Sequence, residues 1–433
     1  MEEKKEEKKG AVTWSRSNGS LFEDFAISME EYTETGKTPA EGDQDIQYAL
    51  ELQDGRLQKK NLTMKYKFVP RGHVPMGREN NQSWSDEHYT STLQSRTCKM
   101  DRSFFRGTKR AYKSSKNINF LQTITDVNTP QFIWDDVYNC PDCGAATTID
   151  ELQKGCPYCG ARFKISDIFP KVSNYYFLKD PTFTKEELIK PFLICMLITA
   201  VIEFFAGLFY FYLYQPDFKG SIIKSLFVAF YIAISGSPIS GMWNLMLVLF
   251  GKLIYEAGRE LPLLSSLGTG PRFVRQMQRY SPDFSYEYFS NKVVSLLKMI
   301  IFTDNLSELP VYTGGSLGNM FENVVDVFFT GAIGFRKLRI EGDFCLVTVD
   351  VFLDNLFDNG KRIYERRVKY RIEVKKDISK PVNMHFSIRH LKCKGCGMSF
   401  DATKEKYCPG CETAYDLETE DWVVTKIVKK LVY

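Results

Sequence analysis

Histidine is scarce in this chain: His73, His88, His385 and His390 are the only four in 433 residues. None sits in a spacing that pairs a base with a nucleophile, and no phosphate-cradling glycine loop, dinucleotide fingerprint or nucleophile elbow occurs. The sequence therefore offers no constellation for nucleotide-dependent or hydrolytic chemistry. An excess of one charge is missing too, with 57 Lys+Arg against 53 Asp+Glu for a net +4, so nucleic-acid binding by bulk charge is not expected. The opening MEEKKEEKKG alternates acid and base with no apolar core. It reads neither as a secretory signal nor as an acid-poor mitochondrial presequence, so any insertion into a membrane is expected to rely on internal segments.

The first third of the chain is polar. From residue 1 to about 129 it is rich in Ser, Asn, Gln, Lys and Glu without sustained period, and reads as a largely disordered N-terminal region. Within it Arg96 to Lys116 gathers basic residues around Phe104, Phe105 and Tyr112; a solvated linker is the favoured reading over contact with phosphate or an anionic surface.

Long apolar runs then appear. Phe192 to Tyr214 is 23 residues with Glu203 as its one charge, enough to cross a bilayer. After a short loop a second run extends from Ser221 to about Tyr255, where Pro238 and its flanking glycines are expected to bend or break the helix. Residues 191–255 are thus expected to form a transmembrane hairpin, between linkers at 171–190 and 256–280. The flanks carry Lys179, Lys185, Lys190, Lys252, Arg259, Arg272, Arg275 and Arg279 against Lys219 in the loop, which predicts both termini in the cytoplasm. Glu203 and Lys224 are the intramembrane charges to watch, although one acid does not make a transporter.

Of eleven cysteines, eight fall into four C-x-x-C pairs. Cys140 and Cys143 precede Cys156 and Cys159 by twelve residues; Cys393 and Cys396 precede Cys408 and Cys411 by eleven. Two tight turns offering two thiolates each is the pattern of a tetrahedral zinc ribbon, and Gly144 and Gly160 permit backbone amides to turn toward sulfur. The expectation is two structural zinc ions in a reducing compartment, ribbon 1 over 130–170 and ribbon 2 at 393–411. Four thiolates close the coordination sphere, so the ions would hold turns and not activate water.

Beyond 281 the pattern is mixed α+β. Ser281-Pro282-Asp283 predicts a helix start, with Phe289, Val293, Leu296, Leu297 and Ile300 on one face to about Phe302, and a second helix is predicted from Leu317 to Phe329. Strands are predicted over Phe344–Leu353, around Tyr364–Lys375, over Phe386–Leu391 and over Trp422–Val428, with the alternation of the second leaving one sheet face solvated and ribbon 2 capping the hairpin of the last two.

Ser281-Pro282-Asp283-Phe284-Ser285-Tyr286-Glu287-Tyr288-Phe289, the apolar helix up to Asp304, and Asp421-Trp422-Val423-Val424 resemble the Tim-forty-four-like family, named for the mitochondrial import-motor tether. The likeness covers the last third of the chain; the inserted ribbon resembles the bacterial, zinc-ribbon-bearing branch. It implies a cystatin-like, nuclear-transport-factor-like α+β roll over 281–433, near a bacterial plasma membrane, enclosing an apolar pocket for lipid or a partner segment.

The expected function is a noncatalytic membrane scaffold whose partners are membrane lipid and a protein. The alternative is an enzyme or small-ligand binder using the roll's pocket, with Asp326, Asp350 and Asp354 as conceivable bases. Nucleic-acid binding by the ribbons is disfavoured, because Asp401, Glu405 and Glu412 offset Lys392, Lys394, Lys404 and Lys406.

Overall fold

The computed structural model describes residues 14–16, 19–71, 82–85, 89–128, 137–140, 142–164, 169–179, 185–215, 217, 221–267, 269–282, 284, 286–307, 309–379, 391–400, 407–415, 417–419 and 421–431. It divides into two compact units, Pro181–Leu264 and the remainder of the chain on either side of it.

The larger unit opens with helices α1 (Leu21–Thr35) and α2 (Gln44–Lys59). Asp43 caps α2, its carboxylate accepting from the Ile46 N–H at 2.8 Å. Strands β1 (Thr63–Pro70), β2 (Gln82–Ser85), β3 (Tyr89–Arg106) and β4 (Lys109–Val127) come next. After β5 (Val137–Asn139), β6 (Ala146–Thr148) and the short helix α3 (Ile149–Lys154) comes β7 (Lys171–Lys179). Strands β1, β3, β4 and β7 lie side by side in one antiparallel sheet, with β2 also on β3. Its core is aromatic: Phe68, Phe120 and Phe177 cluster with ring centroids 4.8 to 5.7 Å apart, Phe68 stacked on Phe120, together with Phe22 and Phe25.

The expected disorder of 1–129 is therefore corrected for the residues described there. Their apolar side chains are too sparse to show a long period, yet in β1 they fall on one face, where Met64, Tyr66 and Phe68 are buried and Thr63, Lys65 and Lys67 exposed. The basic stretch from Arg96 to Lys116 is not a linker but most of the β3–β4 hairpin. Residues 171–179 of the expected linker form β7, since β7 supplies Val172 and Phe177 to the same core.

In the smaller unit, α4 (Lys185–Leu213) and α5 (Ile222–Leu267) pair; α5 ends beyond the unit's last residue. Segments Ile189–Leu213 and Ile222–Gly251 are long and apolar enough to cross a membrane. Leu197, Phe205, Phe227, Tyr231 and Trp243 are exposed on them, while Ser225, Ala229, Ala233 and Ser237 are buried four residues apart, in register with Gly241. A Cβ on Gly241 would lie 2.8 Å from the Met196 Cα, so the helices approach closely through small residues. Pro238 does not break α5. The linker expected at 256–280 is helical as well: α5 continues to Leu267, and α6 (Gly270–Met277) places Phe273 and Met277 in the core of the larger unit.

Helix α7 (Tyr286–Phe302) then packs on strands β8 (Val324–Glu341), β9 (Phe344–Asp358) and β10 (Ile363–Asp377). After β11 (Leu391–Lys392) and β12 (Ser399–Phe400), β13 (Val423–Leu431) completes a second antiparallel sheet in the order β13-β10-β9-β8. Val347, Val349, Val351 and Leu353 of β9 and Val368, Tyr370, Ile372 and Val374 of β10 meet Phe289, Val293 and Leu297 of α7, with Trp422 edge-on to Phe289 at 4.8 Å. The fold class is thus mixed α+β.

The helix expected over Leu317–Phe329 is instead a loop entering β8: Val324, Val325, Val327 and Phe329 are buried on both sides of the strand, and such an apolar run has no strand signature. The turn expected at Asp354–Gly360 begins only after Asp358. Most of the strand expected at Phe386–Leu391 lies outside the described residues. The face of β10 expected to meet solvent is half-buried under charge. Arg367 is paired across the strands with Asp354, Arg371 with Asp350, and Glu365 meets Arg102 and Lys116 of the first sheet.

Candidate metal centre

Each cysteine pair sits in the same turn. The N–H of the residue four places after the first cysteine donates to that cysteine's carbonyl at 2.8 Å: Gly144 to Cys140, Gly160 to Cys156, Gly397 to Cys393 and Glu412 to Cys408. All four donors have positive φ, between 56° and 76°, which is why three are glycine. A return bond from the first cysteine's N–H to Ala145, Ala161, Met398 and Thr413 respectively closes each knuckle.

The knuckles converge in two clusters, Cys140/Cys143/Cys156/Cys159 and Cys393/Cys396/Cys408/Cys411, with the four sulfurs of each within 4.8 Å of one another. Sulfur separations are 3.7 Å for Cys140–Cys159 and Cys143–Cys156, 3.5 Å for Cys393–Cys411 and 3.6 Å for Cys396–Cys408. A tetrahedron of Zn–S bonds about 2.3 Å long has an edge of about 3.8 Å, so the donor sets fit structural zinc. When bound, the ion would tie both knuckles of a ribbon together and leave no coordination position for substrate.

Electrostatics within the clusters favours thiolate at three of the sulfurs. Backbone N–H groups of Cys396 and Gly395 lower the Cys393 thiol to about 6. Burial opposes ionisation of Cys156, but the N–H groups of Cys159 and Tyr158 outweigh it and bring that thiol to about 7. The Thr413 hydroxyl, 3.0 Å from Cys411 Sγ, holds that thiol low. Four neighbouring sulfurs cannot all ionise without a cation among them.

The surroundings differ. In ribbon 1, α3 is held by a capping box in which the Glu151 N–H donates to Thr148 Oγ1 and the Thr148 N–H to the Glu151 carboxylate, at 3.2 and 3.1 Å, and Ile149, Leu152 and Phe169 pack behind the sulfurs. Ribbon 2 has only Phe400 and Tyr415 among the described residues. The ribbons touch: the Tyr158 hydroxyl donates to the Gly397 carbonyl at 3.4 Å, a contact between distant parts of the chain that spacing does not announce.

The remaining cysteines are elsewhere. Cys98 and Cys345 are buried, and burial pushes the Cys345 thiol up to about 12. The carboxylates considered as bases are all engaged. Asp350 accepts from Arg336 and Arg371 at 2.7 Å, Asp354 from Arg367 at 2.7 Å, and Asp326 from Arg102 at 3.0 Å and the Tyr66 hydroxyl at 2.7 Å. Glu203 Oε2 faces Gly236, with no hydrogen-bond partner among the described residues, and Lys224 is exposed. Helix α7 packs Phe289, Val293 and Leu297 into the core of the second sheet. Comparison with protein-family models, with curated proteins and with solved structures finds no match for this chain.

Proposed function

We propose that the protein is a membrane-anchored, noncatalytic adaptor whose folded unit carries two zinc ribbons and recruits a protein or lipid partner. The observation that carries the reading is the pairing of two closed four-cysteine clusters with two helices long and apolar enough to span a bilayer. Closed clusters build surfaces and do not turn over substrate. In this reading the hairpin is the anchor, the lysines and arginines flanking it place both termini in a bacterial cytoplasm, and the second sheet with α7 is a Tim-forty-four-like domain, a likeness carried by the segments Ser281–Phe289 and Asp421–Val424.

The test is gentle detergent extraction and affinity purification of the full chain, with zinc quantified and copurifying proteins and lipids identified. Two zinc ions per chain with a reproducible partner is the expected result. Extraction without detergent, or a purified chain that turns over a bound small molecule, overturns it.

A further inference from the structure

One end of the second sheet carries a cavity that neither the metal clusters nor the proposed anchoring uses. Down β10, the inward positions Val374, Ile372, Tyr370 and Val368 are buried apolar or aromatic, but the next two are Arg366 and Tyr364. The cavity they border has a volume of about 190 Å³ and is also lined by Lys429 of β13, by Asn323, by Asn359 of the β9–β10 turn and by Phe357.

The polar part of the lining is a set of donors, beside the apolar Met320, Phe357 and Val368. Arg366 and Lys429 supply two cations, and no carboxylate is among the described lining residues. Neither cation makes an ion pair among the described residues, whereas their neighbour Asp358 is taken by Arg106 at 2.7 Å. Asn359 Oδ1 already accepts from the Lys361 and Arg362 N–H groups at 3.1 and 2.8 Å, and Asn323 Oδ1 from Lys60 at 3.4 Å, so each amide has its NH₂ left to donate. Phe357 and Tyr364 stack at 5.6 Å, and the Lys429 ammonium lies 4.9 Å from the Phe357 ring centre. Lys429 is held below the usual lysine range, first by burial and then by Arg366. Two adjacent cations with no ion-pair partner among the described residues are the part of the sheet that an anion would stabilise.

We propose that this cavity binds a phosphate group, as the dianion of a phosphomonoester, between Arg366 and Lys429 with the two asparagine amides and the Tyr364 hydroxyl completing its donors. A planar guanidinium and a mobile ammonium together match phosphate oxygens, and the volume admits a phosphate with a small part of the alcohol it esterifies. The same chemistry is presented by a soluble phosphate ester and by a monoester lipid headgroup. The proposal requires neither zinc nor a protein partner, so its failure leaves the adaptor reading standing.

The test uses the full chain in one detergent, with inorganic phosphate and, separately, dioctanoyl phosphatidic acid as probes and chloride at equal ionic strength as control. Acetylation of Lys429 by an amine-reactive reagent is followed by mass spectrometry on the wild type, and affinity is measured on wild type, Arg366→Gln and Lys429→Gln. Saturable protection of Lys429, with each variant at least about tenfold weaker at unchanged zinc content and melting temperature, is the expected result. Protection by inorganic phosphate points to a soluble source, and protection by the lipid alone points to a headgroup. Protection by neither probe, or undiminished affinity in both variants, overturns the proposal, and the wild-type measurement decides it even if a variant fails to fold.

Discussion

The ribbon pair and the paired sheets are held together by different physics within one folded unit. Behind the sulfurs of ribbon 2 there is little more than Phe400 and Tyr415 among the described residues, too small a core to order a chain unaided, so its shape depends on the ion. The sheets have two extensive cores, and charge links the elements packed on them: Lys292 lies between Asp45 at 2.7 Å and Asp421 at 2.8 Å, the buried Arg56 reaches the exposed Asp304 at 3.2 Å, and Arg102 bridges Asp326 and Glu365. Arg102 is 2% exposed and stacked 4.0 Å from the Phe328 ring centre. One region is specified by a bond that can be extracted, the other by pairs that each need both partners.

The largest effect expected is from metal removal. Chelation, or Cys140→Ser and Cys393→Ser one at a time, is expected to remove folding energy of about 10–16 kcal/mol per site at neutral pH, to drop bound zinc by one ion per substituted cluster, and to melt the ribbons while near-ultraviolet dichroism from Trp422 persists. Loss of that signal on chelation would erase the distinction between the regions. Next, Arg102→Ala takes the ion-pair partner from the buried Asp326 and leaves Glu365 with Lys116, and is expected to cost about 3–5 kcal/mol in denaturant unfolding, with both zinc ions retained.

Acid separates the regions more gently. Burial opposes the charge of Asp350 and Glu365, but Arg371 and Arg336 for the first, and Lys116 and Arg102 for the second, hold both carboxyls below their usual values. A depressed carboxyl adds stability that is present above its unfolded value and lost as pH falls through the folded one. The sheets are therefore expected to keep their melting temperature down to about pH 4–5 and lose it below. Zinc release, which accompanies thiolate protonation, is expected at higher pH and is read by a metal indicator along the same titration. The smallest effect is local: Glu412→Gly removes a side chain from a left-handed position and is expected to stabilise ribbon 2 by about 1 kcal/mol in a chelator-competition assay, with Gly397→Ala moving it the other way.

The metal clusters were legible because coordination demands fixed spacing, and α7 because its apolar residues repeat at helical period over several turns. The first sheet was harder to read, although Thr63-Met64-Lys65-Tyr66-Lys67-Phe68 alternates cleanly and was a usable signal. Two things concealed the rest. Arg102 occupies a core position in β3, so the burial pattern there is broken by a charge whose partners lie in another sheet, and β4 is buried on both faces from Asn119 to Thr125, through residues as polar as Gln122 and Thr123. The cation pair Arg366 and Lys429 belongs to strands that lie together only after folding, and nothing in their separate contexts marks them.

The pairing of Arg102 with Asp326 has a consequence for the order of events during synthesis. The two residues are 224 positions apart, with both apolar helices encoded between them. At about 5–20 residues per second the ribosome needs roughly 11 to 45 s to deliver the second after the first. For that interval the arginine and the aromatic face beside it have no native counterpart, and the apolar helices emerge in the meantime. The first sheet must therefore be kept waiting, by solvent or by a chaperone, until the last third of the chain arrives to close it.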